Sequence, residues 1–85
     1  MELKIYKDLS FDGGVMGYFF IEDGIIIQFL NGWYYLYTHR KPGKYHVEQM
    51  KALAVKGKGL KTYINQYVRN NYEDKFNNLP PSLAA

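Results

Sequence analysis

The chain has no cysteine. It therefore carries no disulfide framework and no thiolate nucleophile or ligand, which fits a reducing compartment. Histidine is confined to His39 and His46, and serine to Ser10 and Ser82. A nucleophile–base–orienter arrangement needs Ser, Thr or Cys beside a His held by a carboxylate, and Glu48 alone lies near these histidines in sequence. A metal site wants three or four ligands at fixed spacing, which two histidines seven apart do not supply. Gly57-Lys58-Gly59 has glycines and a lysine but not the Walker spacing, and no strand precedes it. No apolar run is long enough to span a bilayer. The first residues, with Glu2 and no continuous apolar core, do not read as a secretory signal. The expectation is a non-enzymatic cytoplasmic module with no cofactor, no metal and no membrane contact.

What is present is a small, greasy, basic chain. Its 85 residues allow one domain. Apolar residues make 47% and aromatics 18%, enough for one core and against disorder. Charge is uneven along it. Residues 1–38 hold two Lys against five acids, whereas residues 39–69 hold eight Lys or Arg against Glu48 alone, a balance of +7. Such an excess either marks a surface for a polyanion or is the solvated side of helices.

The front half reads as strands. Residues 15–22, 25–30 and 33–38 are β-branched, aromatic or aliphatic, separated by Asp23-Gly24 and Asn31-Gly32, dipeptides suited to two-residue hairpin turns. A fourth strand near residues 3–7 follows from the alternation of Leu3 and Ile5 with polar neighbours. Two-residue loops at both turns set the register: Phe19 opposite Gln28, Ile21 opposite Ile26, Gln28 opposite Tyr35, and Ile26 opposite Tyr37. One face then carries Phe19, Ile21, Ile26, Gln28, Leu30, Trp33, Tyr35 and Tyr37. The other carries Tyr18, Phe20, Glu22, Ile25, Ile27, Phe29, Tyr34, Leu36 and Thr38. Neither is polar.

The back half reads as helices. From Lys44 the apolar stripe is Val47, Met50, Leu53 and Ala54, and Gly57-Lys58-Gly59 ends it. Leu60, Tyr63, Ile64, Tyr67, Val68 and Tyr72 then predict a second amphipathic helix reaching Tyr72 or Phe76. Pro80-Pro81 stops it, leaving residues 80–85 as a disordered tail behind a single domain of residues 1–79. The expected fold is α+β: an antiparallel meander of three or four strands followed by two α-helices packed on one face.

Three features resemble the KTSC domain, a small module found at the C-terminus of some lysyl-tRNA synthetases and as a short stand-alone protein of bacteria and phages. They are the Tyr35-Leu36-Tyr37 triplet, the alternation Ile25, Ile27, Phe29 ahead of Gly32, and Asn65-x-x-Val68-Arg69-x-x-Tyr72, over residues 15–72. The resemblance implies this small α+β fold and RNA binding.

The residues offer a binding reading of their own. Trp33, Tyr35 and Tyr37, two apart on a strand, line one sheet face with Gln28, and sheet-borne aromatics stack bases in RNA-binding modules. Arg40, Lys41 and Lys44 leave that strand's end, and Lys56, Lys58 and Lys61 cluster at the glycine break. Arg69 either contacts the ligand or pairs with Glu73 four residues on. The expected partner is nucleic acid, RNA before DNA. The alternatives are that the aromatic face is core, that it joins a homodimer, or that the chain is a protein-interaction module, such as a phage-type protein that binds and blocks a host factor.

Overall fold

The computed structural model describes residues 4–5 and 14–78. Its sheet has five antiparallel strands in chain order: β1 (Lys4–Ile5), β2 (Val15–Ile21), β3 (Gly24–Phe29), β4 (Tyr34–Thr38) and β5 (Asp74–Phe76). Between β4 and β5 the chain forms α1 (Lys44–Lys56), the short α2 (Leu60–Tyr63) and a π-helical turn, Ile64–Val68. The fold is α+β, with the helices packed on one side of the sheet. Of the fourth strand expected at residues 3–7, residues 4–5 are seen as β1; its other residues and the tail 80–85 lie outside the described residues.

Both hairpins depart from the expected register. The β2–β3 turn is Glu22-Asp23, not Asp23-Gly24, with Ile21 paired to Gly24 and Phe19 to Ile26. Gly24 belongs to β3 because that strand runs too close to β4 there for a side chain: a Cβ would stand 2.4 Å from the carbonyl oxygen of Tyr37. The shift is two residues, so faces are kept. A bulge between Val15 and Gly17 absorbs the remaining irregularity.

The β3–β4 loop has three residues, Leu30-Asn31-Gly32, rather than two. The Gly32 amide donates to the Phe29 carbonyl at 2.8 Å and the Phe29 amide to the Trp33 carbonyl at 2.9 Å, while Gly32 takes φ 90°. This is a type I turn followed by a left-handed glycine, the usual three-residue hairpin. The Asn31 side chain accepts from the Trp33 amide at 3.0 Å and holds the corner.

One extra loop residue inverts a strand, because side chains alternate with period two. Ile25 therefore pairs with Tyr37 and Ile27 with Tyr35. Tyr35 and Tyr37 share a face with Tyr18, Ile25, Ile27 and Phe29, not with Gln28, which pairs with Tyr34 on the opposite face. The helices cover the tyrosine face. Ile25, Ile27, Tyr37, Val47, Met50, Leu60 and Val68 are almost wholly sealed from solvent, each apolar side chain contributing about 1.5–3 kcal/mol by burial.

α1 starts and stops where the stripe and glycines place it; Gly57 takes the left-handed conformation and donates its amide to Leu53. The second helix is shorter than expected. It ends at Val68, since Arg69 adopts φ 22°, ψ −100° with its amide on the Ile64 carbonyl. The chain then turns back into β5, where Glu73 donates its amide to Leu36 at 2.7 Å and Leu36 pairs with Asp74. Unpaired backbone on β4 wins over a further helical turn.

Candidate nucleic-acid interface

A cleft of about 380 Å³ opens between the β3–β4 hairpin and the second helix, within the usual size of ligand sites. The sheet supplies Phe29, Tyr35 and Tyr37; the helical side supplies Lys61, Ile64, Asn65, Arg69 and Asn70; Gly14, Leu30 and Asn31 form the rim. Apolar rings thus face two cations and three carboxamides.

Each wall has a local cause. The three-residue hairpin turns Tyr35 toward the helices, where its ring meets Phe29 and Tyr72 edge-on, both at 4.9 Å between centroids. Lys61 lies over the Phe29 ring with Nζ 5.3 Å from its centroid, a cation–π arrangement. Arg69 reaches the cleft from the residue that ends the π-helical turn. Its backbone lies where L-residues seldom go, and such strain gathers at functional positions as well as at helix ends.

Of the eleven residues singled out from sequence for binding, four meet here: Tyr35, Tyr37, Lys61 and Arg69. The stacking role expected of the tyrosines needs correction. Tyr37 is fully buried, and burial, followed by the neighbouring Tyr35 and Tyr72, pushes its phenol well above the ordinary range. It can form the floor of the cleft but cannot stack on a base. Tyr35 is half-buried and clamped by its two ring neighbours. Gln28 sits on the far face of the sheet. Trp33 stays exposed beside β5, with Lys75 Nζ 5.4 Å from its ring centroid.

Arg40, Lys41, Lys44, Lys56 and Lys58 are exposed away from the cleft. Arg40 is committed elsewhere: its guanidinium pairs with the Glu73 carboxylate, which also accepts the Thr38 hydroxyl. Glu73 is thus held below the usual carboxylate range, first by Arg40 and then by Thr38, and the Arg40 guanidinium is raised in turn. The i,i+4 partnership of Arg69 with Glu73 is therefore not formed.

The lining residues not picked as site residues from sequence are Phe29, Ile64, Asn65 and Asn70, together with the Gly14, Leu30 and Asn31 rim. Only Asn65 had a signal, its helical spacing from Arg69; the others are gathered by the hairpin's extra residue and the π turn. Neither histidine joins them. His39 Nε2 contacts Glu48 at 3.3 Å, and His46 Nδ1 lies 2.7 Å from the Tyr63 hydroxyl. Among the described residues no His, Asp, Glu group is arranged to hold a metal ion, and no helix is long and apolar enough to cross a membrane.

No protein-family model, curated protein or solved structure matches the chain.

Proposed function

We propose that this chain is a non-enzymatic, cytoplasmic nucleic-acid-binding module, RNA before DNA, whose cleft takes an unpaired nucleotide. The observation that carries this is the convergence of Lys61 and Arg69 on a cavity walled by Phe29 and Tyr35 and edged by Asn31, Asn65 and Asn70. A base brings an apolar face and a mixed donor–acceptor edge, and carboxamides offer both hydrogen-bonding senses. A phosphate brings negative charge for the two cations. The +7 balance of residues 39–69 extends this attraction along the backbone of a longer strand, and the KTSC resemblance runs in the same direction.

The test is a salt titration of binding to labelled single-stranded RNA, with Lys61→Ala and Arg69→Ala beside the wild type. Each substitution is expected to weaken binding and to flatten the slope of log K against log salt by about 0.7, the value for one phosphate contact on a single strand. Absence of binding at low salt, or slopes unchanged in both variants, would refute the proposal. A protein-interaction module is favoured instead by the exposed Leu30 at the cleft rim and Val55 on α1, apolar side chains 64% and 70% exposed. It becomes the better account if RNA does not bind.

A further inference from the structure

We propose that the array of Tyr45, His46, Tyr63 and Tyr67 on the solvent side of the helices is the base-stacking platform of this protein, and that its ligand is single-stranded nucleic acid. This rests on the nucleic-acid function proposed above and moves its stacking contacts from the sheet to the helices. Tyr45 and Tyr67 are 70% and 59% exposed. The ring of His46 lies between them: 5.5 Å from Tyr45, edge-on, and 6.3 Å from Tyr67 at an interplanar angle of only 26°. Tyr63 underlies the group, 4.7 Å from Tyr67, with its hydroxyl on His46 Nδ1. The rings are therefore pre-ordered by their mutual contacts on helical backbone, which lowers the entropy lost when a ligand stacks on them.

The π-helical turn creates this exposure: Ile64 and Val68 face the core while Tyr67 faces out. Charge selects the occupant. Lys44 immediately precedes Tyr45 and Arg69 follows Tyr67 by two residues, and Glu48, the one acid between residues 39 and 69, is already engaged by His39 and Lys51. Aromatic rings flanked by Lys44 and Arg69, neither of which forms an ion pair among the described residues, fit a polyanion with free π-faces. An unpaired strand has these, whereas a duplex keeps its bases stacked inside. Arg69 also lines the cleft, so one strand can run from the cleft past Arg69 to the platform.

The experiment is fluorescence anisotropy with a labelled oligouridine of about ten nucleotides and an RNA duplex of equal length, from about 50 to about 200 mM salt. The proteins are the wild type, Tyr45→Leu, Tyr67→Leu and Tyr67→Phe, each confirmed folded by circular dichroism. Each Leu variant is expected to bind the single strand about 5- to 150-fold more weakly with an unchanged salt slope. Tyr67→Phe should keep wild-type affinity, and the duplex should bind less tightly than the single strand. Leu variants that match the wild type, or a Phe variant as weak as the Leu one, overturn the platform; if Lys61→Ala still weakens binding, the cleft survives alone. A wild type that binds no oligonucleotide at low salt overturns the parent proposal, and this one with it. Equal affinity for duplex and single strand overturns the stacking mode.

Discussion

The two hairpin glycines follow turn-forming residues in the same way, yet the structure assigns them different physical roles that a small set of substitutions separates. Gly32 holds φ 90° with nothing within 4 Å of the point a Cβ would occupy, so a side chain there meets backbone strain and no neighbour. Alanine in that conformation costs about 1 kcal/mol. Gly24 has no positive φ, but its Cβ would lie 2.4 Å from the Tyr37 carbonyl oxygen and 3.2 Å from Thr38 Cα. Ordinary carbon contact begins near 3.5 Å, so β3 and β4 must part by roughly 1 Å beside the fully buried Ile25–Tyr37 pair. Overpacking of that kind costs about 2–3 kcal/mol. In a domain this small, 1 kcal/mol moves Tm by about 4–8 °C. Urea and thermal unfolding of Gly24→Ala, Gly32→Ala, Gly24→Asn and Gly32→Asn decide the matter. Asparagine tolerates left-handed backbone, so it should recover part of the loss at position 32 and none at position 24. Recovery at 24, or a Gly24→Ala variant as stable as the wild type, would refute the close-approach argument.

Glu73 supplies a pH test: its lowered pKa means that the Arg40–Thr38 latch contributes stability above about pH 4.5 and loses it as pH falls through the folded-state value. Glu73→Gln should therefore lie below the wild type in Tm at neutral pH and converge with it in acid; a constant gap across the range would refute this. Met50, fully buried between sheet and helices, should cost about 2–5 kcal/mol on replacement by alanine, read from urea denaturation. Arg69→Gly should weaken RNA binding while folding at least as stably as the wild type, because glycine relieves the strained backbone; a marked loss of stability would show that Arg69 is structural.

Residue pattern by itself determined most of the secondary structure. The β-branched and aromatic runs around Phe20, Ile26 and Tyr35 can bury only as strands, the Val47–Met50–Ala54 stripe only as one side of a helix, and Gly57-Lys58-Gly59 breaks that helix without outside help. Local chemistry dominates there because each signal lies within one or two turns of chain. Which face of β4 meets the helices was beyond it. The two alternations differ by one loop residue, both sheet faces are apolar, and Asn31-Gly32 closes a two- or a three-residue turn equally well. Only packing against Val47, Met50 and Leu60 selects the arrangement that buries Tyr37 and separates it from Gln28. The stripe Leu60–Ile64–Val68–Tyr72 likewise continues as a helix on local grounds, but the open edge of β4 and the reach of Arg40 and Thr38 to Glu73 draw residues 74–76 into the sheet. The cleft follows from those same long-range decisions. Phe29 and Lys61, or Asn31 and Arg69, are more than thirty residues apart in sequence and meet only because one extra loop residue and one π turn aim them at the same space.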